Sequence, residues 1–196
     1  MVTTTKDRIL EEAAKLFTEK GYEATSVQDI AQALGLSKAA LYHHFRSKEE
    51  ILYEISLKAL RGLVRAGEEA MAHPDPEEAL LRFMEAHARY FEENYPFFVT
   101  MLQGIKSLSP ENRAATNELR DRHEANLRNI LRRGVETGAF RPVDVALAGR
   151  AVLSLLNWMI RWFRPGGPKR AVEFARAYHD LVLRGLKDGD PGAQGA

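Results

Sequence analysis

Two short helical segments that meet at Gly35 place the strongest constraint on how this chain folds. Residues from Val27 to Leu34 carry apolar side chains at helical spacing, and Ser37 is suited to cap a second short helix that ends near His44. Gly35 stands at the turn, where a positive φ favours glycine. A helix, a tight turn and a second short helix form the plan of the helix-turn-helix, whose second helix enters the major groove of DNA.

Apolar and polar side chains divide between the two faces of this motif. The residues placed to lock the two helices together are Ala31, Leu34, Leu36, Leu41 and Phe45. The residues left on the outer face of the second helix are Ser37, Lys38, Ala39, Tyr42, His43 and His44. Small residues let a helix approach a groove closely, and the hydroxyl, ammonium and imidazole groups donate to phosphates or base edges.

Charge favours a nucleic-acid partner only locally. The chain has 28 basic and 27 acidic residues and a net charge of +1 at pH 7, so no global field attracts DNA. Between Leu36 and Lys48, however, there is no acid, while Lys38 and Arg46 are basic. Lys48 opens a fourth helix, and its ammonium together with the positive helix terminus favours a phosphate.

Capping signals mark the start of two helices. Thr25 or Ser26 caps the first helix of the motif, and Thr25 with Gln28 has the spacing of a capping box. Ser47 with Glu50 has the same spacing and opens the long fourth helix.

The whole chain is predicted to be all-α, with about nine helices. The first helix ends at Gly21, and no stretch shows the sustained alternation of strands between hairpin turns. The predicted later helices run over 76–94, 97–105, 110–138, 145 to about 163, and from a turn at 164–168 to about 186.

Composition narrows the class of protein. A chain of 196 residues with 45% hydrophobic and 28% charged residues is typical of a soluble globular protein. It has no cysteine, which excludes disulfides and thiolate metal sites, and no apolar run of membrane-spanning length or signal-peptide type. We expect a cytoplasmic protein with no membrane partner, a DNA-binding domain at 1–50, a second domain at 51–188 and a disordered tail at 189–196.

Residues 6–53 resemble the N-terminal domain of the tetracycline-repressor (TetR) family. The resemblance rests on the run from Ile9 to Ala31, which includes Gly21-Tyr22, and on the run from Leu36 to Glu50. It implies a helix-turn-helix domain of three helices followed by a helical domain for ligand binding and dimerisation. It also implies a repressor that binds palindromic operator DNA as a homodimer and is released by a small-molecule effector. The residues that it implies for DNA contact are Thr25, Ser26, Ser37, Lys38, Ala39, Tyr42, His43 and Lys48.

The predicted eighth helix is apolar on two faces. One face carries Val145, Gly149, Val152, Leu153, Leu156, Met159, Ile160 and Phe163, and the other carries Ala151, Leu155, Trp158 and Trp162. A helix that is apolar on two faces must be buried twice. We therefore expect a twofold homodimer through helices eight and nine, which would space two recognition helices by about one DNA turn, ~34–36 Å.

A ligand pocket is expected among helices five to eight, with no catalytic residues and no metal ligands. The candidate lining residues are His87, Tyr90, Phe91, Phe98, Met101, Leu102, His123, Asn126, Asn157, Trp158 and Arg161. Aromatic residues and methionine at helical spacing are also ordinary core content. The polar line that joins Arg150, Ser154, Asn157 and Arg161 is also explained as a solvated edge or the rim of a dimer.

The effector class is suggested by a second, shorter resemblance. The segment from Leu156 to Pro168 is similar to one in TetR-family regulators of fatty-acid, steroid-ring and aromatic-acid degradation, several of which respond to acyl-CoA thioesters. An anionic effector of that kind would suit Arg133, Arg161 and Arg164 near the mouth of an aromatic pocket.

Three alternative functions remain. One is a repressor of an efflux pump that responds to hydrophobic drugs, and another is an adaptor that binds protein instead of DNA. An enzyme is disfavoured because the sequence contains no G-x-S-x-G, H-E-x-x-H or phosphate-loop motif.

Overall fold

The computed structural model describes residues 4–187, and this part of the chain is all-α, as predicted. It contains nine α-helices and two 3-10 turns and has no strand. The helices are α1 (Thr5–Lys20), α2 (Val27–Ala33), α3 (Lys38–His44), α4 (Lys48–Met71), α5 (Pro76–Glu93), α6 (Tyr95–Gly104), α7 (Pro110–Glu136), α8 (Val145–Trp158) and α9 (Ala171–Leu186). The tail predicted to be disordered, 189–196, lies outside the described residues. No helix within 4–187 is both long and apolar enough to cross a bilayer.

The chain forms two compact units. The first contains residues up to 61 together with 94–119, and the second contains 62–93 together with the residues from 120 onward. The boundaries fall inside α4 and α7. The predicted division at residue 50 follows the motif and not this packing, and it stays a prediction.

The first unit is built around α1, which packs against both α2 and α6. The Thr18 hydroxyl donates to the Pro96 carbonyl at 3.3 Å, and the Thr100 hydroxyl donates to the Ala14 carbonyl at the same distance. The large buried side chains of its core include Ile9, Phe17, Ile30, Leu41, Phe45, Ile51 and Ile55. Helix α6 therefore belongs to the same packed body as the helix-turn-helix.

The second unit has α5 and α9 as its most extensively packed pair of helices. The buried apolar faces include Leu80, Phe83, Met84, Phe91, Leu127, Ile130, Val152, Leu156 and Met159. Three ion pairs join α5 to α9 and the residues that cap it, between Glu77 and Lys187 (2.8 Å), Glu85 and Arg176 (2.5 Å), and Glu92 and Arg170 (2.7 Å).

Two predicted helix boundaries were wrong. Helix α6 begins at Tyr95 because Pro96 fits the first turn of a helix, where its missing N–H is not needed. Helix α8 ends at Trp158 and tightens into a 3-10 turn over Met159–Arg161, short of the predicted end near Phe163. The chain leaves helical geometry at Trp162, which has a φ of −133°.

Candidate nucleic-acid interface and ligand region

The turn between α2 and α3 has the predicted geometry. Gly35 has a φ of +66°, and the N–H of Leu36 donates to the Ala31 carbonyl at 2.9 Å. The Ser37 hydroxyl caps α3 by accepting the N–H of Ala40 at 3.1 Å. These contacts fix where α3 begins relative to α2.

Helix α3 is held to the unit by very few of its own side chains. Leu41 is its one buried residue, and Phe45, directly after the helix, is also buried. The exposed residues at its start and along it are Ser37, Lys38, Ala39, Tyr42, His43 and His44. The Nζ of Lys38 lies 5.9 Å from the centre of the Tyr42 ring. The outer face of α3 is thus exposed, acid-free and rich in hydrogen-bond donors.

Thr25 lies inside the unit and not on its surface. It is only 1% exposed, and its hydroxyl donates to the carbonyls of Gly21 at 2.8 Å and Leu16 at 3.3 Å. The cap of α2 is Ser26, whose hydroxyl accepts the N–H of Asp29 at 3.1 Å while the Asp29 carboxylate accepts the N–H of Ser26 at 2.7 Å. The predicted capping box of Thr25 with Gln28 was therefore wrong. The DNA contact predicted for Thr25 stays a prediction, and its hydroxyl already binds the backbone.

Lys48 is held over the corner between α1 and α2. Its Nζ donates to the Tyr22 carbonyl at 2.8 Å and lies 4.2 Å from the centre of the Tyr22 ring. The Ser47 hydroxyl accepts the N–H of Glu50 at 3.1 Å, as the predicted box requires. The Glu50 carboxylate, however, accepts the N–H of Arg46 instead of that of Ser47.

Glu49, between Lys48 and Glu50, makes long-range hydrogen bonds that no sequence pattern predicted. Its carboxylate accepts the N–H of Ser109 at 2.7 Å and the Nδ2 of Asn112 at 2.9 Å. The hydrogen bond from Ser109 and then that from Asn112 lower the pKa of Glu49. Three consecutive side chains in the first turn of α4 thus bind three different segments. The partners of Glu49 lie about 60 residues away, so no local sequence signal could have identified them.

A buried pair of histidines lies in the second unit. The Nδ1 of His87 and the Nε2 of His123 are 3.1 Å apart, and the Phe83 ring stacks on His123 with 4.8 Å between ring centres. Burial lowers the pKa of His123 to about 4, and burial, then the neighbouring His123, lowers the pKa of His87 well below its ordinary value. Both imidazoles are therefore neutral at pH 7. Within residues 4–187 no three potential ligands among His, Cys, Asp and Glu are grouped to hold a metal ion.

Two amides extend this pair into a polar cluster. The Nδ2 of Asn126 donates to the Val64 carbonyl at 3.3 Å, and Asn157 hydrogen-bonds His87. Gly67 closes over the cluster, since a Cβ there would lie 3.0–3.2 Å from Phe83, His123 and Asn126. The structure thus unites four predicted ligand residues, His87, His123, Asn126 and Asn157, in a tightly packed, uncharged group that we call the polar cluster.

The remaining predicted ligand residues are spread over both units. Trp158 is 64% exposed, and the exposed Arg161 places its guanidinium 5.6 Å from the centre of the Trp158 ring. Because Asn157 points inward, its neighbour is turned about 100° around α8 and faces out. Phe91 instead packs against Phe163, and Tyr90 fills the space beside Gly62. Phe98, Met101 and Leu102 belong to α6 in the first unit.

Arg133 also has a structural role. Its guanidinium donates to the carbonyls of Met71 and His73 at the end of α4, at 3.2 and 2.5 Å. The guanidinium of Arg133, which was predicted to lie near the mouth of a pocket, is therefore already bound to backbone carbonyls.

Comparison with known families accounts for both parts of the chain. Residues 9–55 match the family described as bacterial regulatory proteins, tetR family, and residues 73–186 match the tetracyclin repressor-like C-terminal domain. The chain belongs to the TetR family. Both matched ranges lie within the described residues.

Individual relatives in the TetR family are similar along nearly the full length. The HTH-type transcriptional repressor KstR2 of Mycobacterium tuberculosis is 33% identical over 192 residues, covering 94% of each chain. The crystal structure of the TetR family transcriptional regulator PfmR from Thermus thermophilus is 84% identical, with a TM-score of 0.90, covering 93% of this chain and 100% of PfmR. AibR, solved in complex with isovaleryl coenzyme A and operator DNA, is 26% identical, with a TM-score of 0.83, covering 91% of this chain and 97% of AibR.

Proposed function

We propose that this protein is a cytoplasmic transcriptional repressor that binds palindromic operator DNA as a homodimer and releases it when an acyl-CoA thioester binds. The observation that carries the proposal is the outer face of α3, which is exposed, free of acids and held from behind by Leu41 and Phe45. The similarity to KstR2, an HTH-type transcriptional repressor, supports it over nearly the whole chain.

Each exposed residue of the motif has a proposed part in DNA binding. Lys38 and Tyr42 donate to phosphates, Ser37 adds a hydroxyl contact, and the small Ala39 lets the helix approach the groove. Ser26 takes part by holding the start of α2, because its hydroxyl already donates to the Asp29 carboxylate at 2.6 Å. His43 faces base edges. Lys48 donates to the carbonyls of Tyr22 at 2.8 Å and Glu23 at 3.5 Å, which leaves its third N–H for a phosphate.

A second copy of the chain is the proposed partner for an exposed apolar face on α8, the turn after it and α9. Six large hydrophobic residues are exposed in the described part of the chain, and five lie here, namely Leu147, Leu155, Trp158, Trp162 and Leu181. Large exposed apolar side chains concentrated on two neighbouring helices favour an interaction site, and a twofold pairing lets one face cover its own copy. We call it the α8–α9 face.

The chemistry of the polar cluster supports a thioester more than a free acid as the effector. The cluster consists of neutral imidazoles and amides, and a buried carboxylate would lack a compensating charge there. A thioester carbonyl is uncharged and accepts a hydrogen bond. AibR, whose structure contains isovaleryl coenzyme A together with operator DNA, supports the same class.

A gel-shift assay on promoter fragments, enriched by selection with the purified protein, tests the proposal. We expect a palindromic fragment to be retained, and isovaleryl-CoA or a longer acyl-CoA to release it while CoA alone at the same concentration does so less. Lys38→Ala should weaken binding about three- to tenfold and lower the salt dependence of binding by about one phosphate contact.

Lys15→Ala provides the matched control, because Lys15 is an exposed cation on α1 that pairs with Glu12. It should bind the selected fragment like the unaltered protein. Failure to retain any fragment would refute DNA binding, whereas retention that no acyl-CoA alters would refute only the effector class.

A further inference from the structure

An aromatic cleft lies beside the turn that joins α8 to α9. It has a volume of about 380 Å³ and is lined chiefly by Trp162, Phe163, Phe174, Pro168, Arg164 and Lys169. Pockets of ~300–1,000 Å³ accept drug-sized ligands, so this space exceeds the need of a single aromatic ring. The polar cluster does not contribute to its lining.

The rings in this cleft are arranged edge to face. The centres of Trp162 and Phe174 are 4.9 Å apart with planes at 73°, and those of Phe163 and Phe174 are 6.3 Å apart at 89°. Phe163 is buried and anchors the group, while Trp162 is 38% exposed. Because the rings do not stack on one another, a flat group can lie against an open ring face.

Two cations border the rings without a carboxylate partner. Among residues 4–187, neither Arg164 nor Lys169 forms a salt bridge, whereas the adjacent Arg170 pairs with Glu92 at 2.7 Å. The Nζ of Lys169 lies 6.0 Å from the centre of the Phe174 ring, and the Arg164 guanidinium donates only to the neighbouring Phe163 carbonyl. No acid lines the cleft. The positive charge of Arg164 and Lys169 therefore favours an anionic ligand.

We propose that this cleft binds an adenine nucleotide, supplied as the head group of coenzyme A. The base stacks on Trp162 or Phe174, and the phosphates bind Arg164 and Lys169. Stacking on aromatic side chains and charge-assisted bonds to phosphate are the two interactions that nucleotides use most readily with proteins. An aromatic carboxylate would match the charge but leave much of the volume empty. The source of the nucleotide rests on the acyl-CoA effector of the proposed function.

Tryptophan fluorescence of the full-length protein tests this site. The chain has two tryptophans, so Trp158→Phe leaves Trp162 as the sole reporter. We expect adenosine 3′,5′-bisphosphate and CoA to quench Trp162 saturably and ADP to bind more weakly. The double variant Arg164→Ala with Lys169→Ala should raise the Kd about tenfold or more, because it removes charge-assisted bonds to phosphate. Arg132→Ala, an exposed cation on α7, is the matched control and should leave the Kd unchanged.

Five results would overturn the inference. Absence of saturable quenching, or an unchanged Kd in the double variant, removes the site. Tighter binding of benzoate than of the nucleotide makes it an aromatic-acid site, and ADP binding as tightly as CoA makes the ligand a free nucleotide. Protection of Trp162 from acrylamide in the dimer that adenosine 3′,5′-bisphosphate does not increase shows that the second copy fills the cleft as well as covering the α8–α9 face. Operator retention by the same variants separates each of these results from a failure of the proposed function.

Discussion

Single side chains here take their roles from what surrounds them and not from their type. Thr25 and Ser26 are adjacent hydroxyl residues, yet one is buried against backbone carbonyls and the other caps α2 at the surface. His43 is exposed on α3, whereas His87 and His123 are buried and neutral. Burial decides these differences, because it removes water as a competing partner and disfavours charge.

The buried histidines predict a loss of stability in mild acid. Unfolded histidine has a pKa near 6.5 and His123 in the folded protein has one of about 4, so the unfolded state binds more protons as the pH falls through this window. The contribution of neutral His123 to the free energy of unfolding is complete above pH ~6.5. It is lost progressively towards pH ~4, up to about 3 kcal/mol. Urea unfolding between pH 7 and 4.5 measures it.

His123→Gln should flatten that pH dependence, because glutamine does not titrate. His44→Gln is the matched control, since His44 is exposed on α3 and should leave the pH dependence unchanged. Equal slopes for the unaltered protein and His123→Gln would contradict the prediction.

At the scale of elements, the first turn of α4 organises the first unit. Lys48, Glu49 and Glu50 bind in turn the corner between α1 and α2, the start of α7, and the turn after α3. Because α4 directly follows α3, whatever fixes its first turn also fixes the angle of the recognition helix. The packing of α6 on α1 adds to the same body.

Removing the Glu49 carboxylate should weaken operator binding. Glu49→Ala frees Ser109 and Asn112 from α4, and the loss of about 1 kcal/mol of positioning energy corresponds to a roughly fivefold higher Kd. Glu49→Gln should restore most of the affinity, because its amide oxygen still accepts both hydrogen bonds. Fluorescence anisotropy with the selected operator measures both variants.

Glu54→Ala serves as the control, because Glu54 also lies on α4 but makes only an exposed ion pair with Lys6. If Glu49→Ala and Glu54→Ala bind the operator equally well, Glu49 does not position the recognition helix.

At the scale of the whole molecule, the exposed apolar side chains are concentrated on one surface. On the α8–α9 face, Leu147 is 65% exposed and Leu181 is 68% exposed. A lone chain would leave this surface in water at a hydrophobic cost of ~25 cal/mol per Å². The proposed pairing with a second copy would remove that cost.

Leu181→Glu should convert the protein to a monomer without unfolding it. The substituted side chain is exposed in the single chain, so the thermal midpoint of a monomer changes little, while a charge at the centre of a paired face is strongly unfavourable. Sedimentation velocity should show the smaller species, and operator affinity should fall by at least about tenfold because half of the contacts are lost.

Arg132→Glu changes the charge of an exposed residue on α7 and should remain dimeric. A Leu181→Glu protein that sediments like the unaltered one would show that the α8–α9 face is not the dimer interface.

Structural features that depend only on residues close in sequence could be predicted from the amino-acid sequence. The positions of the helices, the turn at Gly35, the Ser37 cap and the outer face of α3 all follow from helical periodicity, capping and turn chemistry within a few residues. The TetR-like fold was implied by the resemblance of residues 6–53 to that family, and the family comparison confirmed it.

The contacts between side chains that are far apart in the sequence could be identified from the folded structure alone. It placed Thr25 inside, tied Glu49 to Ser109, joined His87 to His123 and turned Trp158 outward. The periodicity of one helix shows which residues share a face but not which other helix that face packs against. A rotation of about 100° around α8 separates the inward Asn157 from the outward Trp158. Packing of the whole unit selects one rotation, because it must bury the apolar faces of all its helices at once.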